Sequence, residues 1–231
     1  MILLSCGKES SCFKSTGKII TEQRAISNDV NMIKTEDNID IVITQGSEST
    51  MIIEGGENLL PYITTEVSGT ELTISSDNKC SLFRDYSIPI TIYLSVPNLV
   101  YIDYTGQGNI SSTNTLNFPE FKFETSKGTG SINLNINANN VTVLQHTGPS
   151  DVTLTGFTNT LYAYSGETGW QYLNNLVANN VHVNNGGTGD IIVNANNSLL
   201  VELTSIGNIE YYGNPVVTIS KHTGSGELRK K

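Results

Sequence analysis

Short segments in which apolar and polar residues alternate occupy the first part of the chain. They lie at residues 39–44, 51–54, 72–74 and 88–94. A period of two with many β-branched residues predicts β-strands. Glycine or proline separates the segments, as turns require, and only residues 57–62 favour a short helical turn. The pattern therefore predicts an all-β protein.

Glycine-containing turns recur at a nearly constant interval in the second part of the chain. Their last positions are residues 108, 130, 150, 169, 189, 207 and 226, which are 22, 20, 19, 20, 18 and 19 residues apart. Asparagine-rich segments keep the same phase at residues 138–143, 158–163, 178–183, 195–200 and 214–219. A unit of about 20 residues cannot bury its own apolar face, so it must stack on its neighbours.

Stacked units of this size predict a parallel β-solenoid, or β-helix, with coils of about 20 residues. Successive coils would place equivalent residues about 4.8 Å apart and align asparagines in hydrogen-bonded ladders. A β-propeller is a weaker interpretation, because its blades need about 40 residues. Six side chains are expected to point into the core: Val141, Val143, Val181, Val183, Ile191 and Val193.

The pattern divides the chain into three parts. Residues 1–27 read as a truncated signal or lipid-anchor region followed by a polar tether, because Ser, Lys, Thr and Gly dominate residues 8–18. Residues 28–100 form an N-terminal strand-rich part of the solenoid, and residues 101–231 form its repeats. We expect the last two parts to be continuous with each other.

The N-terminus resembles a lipoprotein signal. Leu3-Leu4-Ser5 precedes Cys6, as in a bacterial lipobox, which makes Cys6 the candidate lipid anchor. Acyl chains would hold the protein on a membrane surface without spanning it. A complete signal also needs a positive region and about 7–15 apolar residues, more than the chain provides before Ser5. Two interpretations stay open: translation starts further upstream, or the match is coincidental.

Charge narrows the class of partner. The chain has 13 Lys and Arg against 22 Asp and Glu, a net charge of −9. This balance disfavours nucleic acid and anionic lipid as partners, so contact with a membrane is expected only through a lipid anchor. No apolar stretch reaches the roughly 18–20 residues of a spanning helix. The sequence indicates no particular oligomeric state.

The cysteines do not indicate a disulfide scaffold or a metal site. The chain has three, Cys6, Cys12 and Cys80, which are too few for a disulfide framework and lack the paired spacing of zinc or iron–sulfur ligands. Cys12 and Cys80 are either paired in an oxidising compartment or free thiols.

No cofactor or metal is predicted. The glycine turns lack both a G-x-G-x-x-G that opens a helix and a Gly-Lys-Thr loop. Residues 185–193 resemble a calcium-binding nonapeptide repeat, but Asp190 follows Gly189 directly, one residue too early. The equivalent turns carry Asn109, Ser131 and Asn208 in place of an acid.

Histidines and carboxylates were considered as catalytic or metal-binding groups. His146, His182 and His222 lie in separate coils and are interpreted as surface residues of strands or turns. A polysaccharide lyase or hydrolase needs carboxylates that converge on one face of adjacent coils. The acidic residues of the coils lie at apparently unmatched phases: Asp103, Glu124, Asp151, Glu167, Asp190, Glu202 and Glu210. A non-enzymatic surface module is therefore favoured, with a carbohydrate-active enzyme on a β-helix scaffold as the alternative.

Aromatic residues give the candidate binding site. Tyr162, Tyr164, Trp170 and Tyr172 form the densest aromatic group of the repeats, and exposed Tyr and Trp side chains stack on sugar rings or anchor a protein partner. The equal alternative is that such residues fill the interior or cap its ends. Trp170 replaces the small turn residue of its coil, so we expect it to be the exposed anchor.

Several motifs follow one another in a fixed order along most of the chain. They lie at residues 43–46, 57–67, 69–74, 96–99, 106–108, 212–215 and 223–226. Together they resemble the bacterial head GIN domain family, whose members are named auto-transporter adhesins, over residues 28–228. The resemblance implies parallel β-helical coils and an exported protein, often a lipoprotein of the cell envelope at the outer membrane or surface. It implies no catalytic residues, and the family's Gly-Ser-Gly-Asp turn keeps its acid in frame only at Gly189-Asp190.

Overall fold

The computed structural model describes residues 15–78 and 87–231. Strands make up 64% of it, and all 17 strands belong to one continuous sheet. The sheet winds into a parallel β-solenoid of about six turns with coils of about 20 residues, which confirms the predicted fold. No helix within these residues has the length and apolar character that crossing a membrane would require. Cys6, Cys12 and Cys80 lie outside the described residues.

The N-terminal part contributes nine short strands. They are β1 (Ile19–Arg24), β2 (Met32–Thr35), β3 (Asp40–Gln45), β4 (Thr50–Gly56), β5 (Ile63–Ser68), β6 (Glu71–Ser76), β7 (Thr91–Val96), β8 (Tyr101–Tyr104) and β9 (Ile110–Ser112). A 3₁₀ turn at Leu60–Tyr62 precedes β5, where the sequence favoured a single helical turn. β1 lies within the segment expected to be a tether and pairs with β4, so residues 19–24 are part of the sheet.

The repeats contribute eight further strands. They are β10 (Leu116–Ser126), β11 (Ser131–Thr147), β12 (Asp151–Ser165), β13 (Gln171–Asn185), β14 (Ile191–Leu203), β15 (Ile209–Tyr212), β16 (Val216–His222) and β17 (Leu228–Lys230). Each of β11 to β14 contributes to more than one face of the solenoid, because its two ends pair with neighbours at different phases.

The order of the first strands in space differs from their order in the chain. β2 pairs with β6 on one side and with β8 on the other, and β3 lies in the same way between β7 and β9. β1, β4 and β7 pair antiparallel, as do β5 and β6. The N-terminal part therefore supplies both a coil and the end of the solenoid next to it.

Parallel pairing of the coils builds three faces. The first face contains residues 101–104, 122–125, 142–145, 162–165, 182–185 and 200–203. The second contains residues 110–111, 132–133, 152–153, 171–172, 191–192 and 209–210. The third contains residues 116–118, 136–138, 156–158 and 176–178.

One apolar core runs along the inside of the three faces. The six side chains predicted to point inward are each at most 3% exposed, which confirms the sequence assignment. Buried Ile33 and Ile41 from the N-terminal part belong to the same core as Ile102 and Val141 from the coils. Burial of one such side chain stabilises the fold by about 1.5–3 kcal/mol, and the shared core joins both parts into one solenoid.

The repeated glycines are explained by contacts between coils. A Cβ on Gly130 would overlap the carbonyl oxygen of Gly108, and one on Gly189 would overlap that of Gly169. Each coil therefore needs a glycine where its turn lies against the preceding turn. Asparagine ladders are also present, since the amide of Asn137 donates to Asn117 Oδ1 at 3.2 Å.

Candidate functional site

The residue that ends each glycine turn connects its coil to the next. Asp151 Oδ1 accepts the backbone N–H of Trp170 at 3.0 Å, and Asp190 Oδ1 accepts that of Asn208 at 2.7 Å. The amide of Asn208 also donates to both oxygens of Asp190. The acid that resembled a calcium ligand is thus an acceptor for the next coil. Among the described residues, no group of three or more His, Cys, Asp or Glu is placed to hold a metal ion.

The four aromatic residues of the predicted site form two separate pairs. Tyr162 and Tyr164 point outward from β12 on the first face, whereas Trp170 and Tyr172 lie beyond the next glycine turn on the second face. The rings of Trp170 and Tyr172 are stacked, with centroids 5.8 Å apart and planes at 18°. Within residues 15–78 and 87–231, no ring contact joins the two pairs.

Trp170 is 38% exposed and occupies the turn-ending position that Asp151 and Asp190 occupy in neighbouring coils. Its side chain is therefore available at the surface, as the sequence suggested. Tyr104 follows the alternative interpretation, since it is buried and its hydroxyl lies between Gly108 O and Gly130 N, at 2.8 Å from each.

A charged network occupies the N-terminal half of the first face. Glu124 accepts hydrogen bonds from the Tyr101 hydroxyl at 2.8 Å and from Lys122, and its other oxygen lies 2.7 Å from His146 Nε2. Burial alone would raise the pKa of Glu124, but the bonds from Lys122, Tyr101 and His146 lower it to about 2. Glu124 is therefore a fixed negative charge that holds three neighbours in place.

Asp103 lies next to this network. It pairs in register with Glu124 on the adjacent strand, so the expectation that these two acids lie at unmatched phases is wrong. Their spacing includes a 22-residue step between coils, which concealed the match. Burial raises the pKa of Asp103, and the nearby Glu124 charge adds to the effect, while Lys34 opposes it.

A second network lies two coils further along the same face. The rings of Tyr162 and His182 are 4.9 Å apart and tilted by 44°, and His182 Nε2 lies 2.8 Å from Glu202 Oε1. The amide of Asn184 donates to the other oxygen of Glu202 at 3.4 Å. Tyr164 faces His146 at 5.7 Å between ring centroids, which connects the two networks.

A groove of about 330 Å³ crosses the coils beside the Tyr162–His182 pair. One of its sides is a row of short polar side chains: Asn140, Thr160, Asn180 and Ser198. The opposite row is Thr142, Tyr162, His182 and Leu200. Sequence reasoning found Tyr162 but interpreted His182 as an isolated surface residue. The missed signal was spacing, because His182 and Glu202 are 20 residues apart, one coil.

Comparison with known proteins places the fold and its faces in a family. A family model described as "Putative auto-transporter adhesin, head GIN domain" matches residues 29–215. The chain belongs to this family. The match covers most of the solenoid, including both networks of the first face. Comparison of this head GIN domain with curated proteins gives no match.

Solved structures resemble this head GIN domain over nearly its whole length. A protein named a putative adhesin from Bacteroides fragilis is 25% identical, with a TM-score of 0.87 over 94% of this chain and 100% of that one. Two Parabacteroides distasonis structures, named a putative adhesin and a putative lipid binding protein, are each 19% identical, with TM-scores of 0.71. Each covers 94% of this chain, and 100% and 99% of their own chains are covered. At that identity they indicate the fold alone.

Proposed function

We propose that this member of the adhesin family is an exported, non-enzymatic protein of the cell envelope that binds a glycan or a surface protein through outward aromatic side chains. The two aromatic pairs carry the proposal. Tyr162 and Tyr164 on the first face and Trp170 and Tyr172 on the second present ring surface on a rigid scaffold, where little conformational entropy is lost on binding.

We further propose that Cys6 carries a lipid and that residues 1–14 connect this anchor to the solenoid. β1 begins at Ile19 and is held against β4, so a tether before it leaves the faces accessible above the membrane surface. When the protein is expressed from an upstream in-frame start, we expect it to partition into detergent. Cys6→Ser should abolish this partitioning. A mature protein that keeps Met1, or stays in the aqueous phase with Cys6 unmodified, would contradict the anchor.

The alternative is a carbohydrate-active enzyme, and one observation favours it. Asp103 and Glu124 are neighbours whose pKa values are displaced in opposite directions, as the acid and base of a glycosidase require. The three partners of Glu124 argue against it, because a carboxylate that accepts from Tyr101, Lys122 and His146 has little freedom to act on a substrate.

An adhesion assay tests the proposal. Beads coated with the full chain should adhere to a suitable surface, such as cells or extracellular matrix, and two double variants locate the contact: Tyr162→Ala with Tyr164→Ala, and Trp170→Ala with Tyr172→Ala. An aromatic anchor contributes roughly 1–3 kcal/mol, so at least one double variant should lose most adhesion.

The matched control is Tyr93→Ala with Tyr212→Ala, which removes two exposed tyrosines, 42% and 39% exposed, from other parts of the chain. It should adhere like the wild type. Wild-type adhesion that neither aromatic variant reduces, or no adhesion of the wild type to any surface, would contradict the proposed function.

A further inference from the structure

The groove on the first face has unused hydrogen-bond donors along one side. Asn140 Oδ1 accepts from the Thr160 hydroxyl, and Asn180 Oδ1 accepts from the Ser198 hydroxyl at 2.8 Å. These bonds fix each amide with its oxygen toward the next coil. Among the described residues, neither Nδ2 group has an acceptor. The two NH₂ groups are two coils apart, about 10 Å, and both donate toward the groove or solvent.

The other side of the groove offers apolar and aromatic surface. Tyr162 and His182 form a ring pair in the middle of the row, with Thr142 before them and Leu200 after them. His182 is fixed from behind by Glu202 at 2.8 Å. The pair is therefore held in one orientation before any ligand arrives, which reduces the entropic cost of binding.

Charge restricts the ligand further. No Asp, Glu, Lys or Arg lines the groove, and the nearest ionised partner is Glu202, in a chain of net charge −9. An anionic polymer would meet repulsion here. A ligand that suits the groove needs acceptors for amide donors, apolar surface for the rings, and no negative charge.

Sugar rings combine these properties, since their C–H faces pack on aromatic rings while their edges carry hydroxyl and ether oxygens. We propose that the groove binds an uncharged, linear glycan that lies along the solenoid axis across four coils, from Thr142 to Leu200, a distance of about 14 Å. The inference rests on the proposed binding function and assigns its ligand class and site. The Trp170–Tyr172 pair, on another face, takes no part in it.

Isothermal titration calorimetry of the full chain tests the proposal with tetra- to hexasaccharides of cellulose, xylan, mannan and chitin. Oligogalacturonates serve as charged counterparts. At least one uncharged series should bind, and Tyr162→Ala should weaken that binding tenfold or more. Asn140→Asp keeps the acceptor for Thr160 but removes the donor and adds a charge, and it should weaken binding to a similar extent.

Matched controls separate the site from general effects. Asn139→Asp adds the same charge to the neighbouring exposed residue, outside the groove, and Trp170→Ala removes the ring on the other face. Both should bind the oligosaccharide like the wild type.

Three results would overturn the proposal: no uncharged oligosaccharide binds, the charged series binds better, or Trp170→Ala weakens binding while Tyr162→Ala does not. If adhesion in the bead assay still depends on an aromatic pair, the proposed function stands and only the glycan assignment fails. If adhesion fails as well, both fail.

Discussion

Asp103 and Glu124 are paired in register on adjacent parallel strands, yet their surroundings displace their pKa values in opposite directions. Burial raises the pKa of Asp103. Three donors lower the pKa of Glu124 to about 2 against the opposing effect of burial. The difference arises from hydrogen bonding, because Lys122, Tyr101 and His146 all contact Glu124, whereas no described residue donates a hydrogen bond to Asp103.

This arrangement predicts a specific dependence of stability on pH. The pKa of Glu124 in the folded protein, about 2, lies below its ordinary value of 4.5, so its ionised form stabilises the fold above about pH 4.5. That contribution is lost as the pH falls toward 2. Glu124→Gln should lower the free energy of unfolding by about 0.5–1 kcal/mol at pH 7, and the difference from the wild type should disappear near pH 2.

Urea unfolding at pH 7, 4.5 and 2.5 measures this difference. Glu227→Gln is the control, since the side chain of Glu227 is 66% exposed and its ion pair with Arg229 is at the surface. A wild-type advantage over Glu124→Gln that is the same at all three pH values would show that the carboxylate charge is not responsible.

Adjacent glycines of one turn provide a test of the stacking of coils. A Cβ on Gly187 would overlap the backbone oxygen of Glu167 in the preceding coil, whereas one on Gly186 would lie 3.2 Å from the Thr204 hydroxyl, its nearest neighbour. Gly187→Ala should therefore destabilise the protein by about 2–3 kcal/mol or more, and Gly186→Ala by less than about 1 kcal/mol. Thermal unfolding of both variants decides the matter, and equal losses would contradict the explanation of the glycine period.

The fold was predictable because the constraint that produces it repeats. Every coil needs a glycine against the preceding turn and inward apolar side chains at the same phase, so Gly189 and Val183 each recur as a pattern that a single sequence contains. The position of β2 between β6 and β8 was not predictable. It depends on pairing between segments far apart in the chain, and no period connects them.

The candidate site was predictable only in part. Tyr162 and Trp170 stand out as aromatic residues in polar repeats, but their faces depend on which side of the glycine turn each lies. The partners His182 and Glu202 form a pair only through stacking, and steps of 18 to 22 residues obscure that register in the sequence.

Trp170 should contribute little to stability. It is 38% exposed, and its ring stacks on Tyr172, so Trp170→Ala should lower the free energy of unfolding by about 1 kcal/mol or less. The melting temperature should then change by no more than about 2–4 °C. Leu154→Ala, at a fully buried position, should cost about 2–5 kcal/mol. A loss in Trp170→Ala as large as that in Leu154→Ala would show that Trp170 belongs to the core.

The most direct test of the central claim, that the protein binds without catalysis, is to incubate the full chain with polysaccharides and measure both retained polymer and released product. We expect retention of intact polymer, with no new reducing ends and no unsaturated products. Release of either product that Asp103→Asn and Glu124→Gln abolish would contradict the claim and identify these two carboxylates as the catalytic pair of an enzyme.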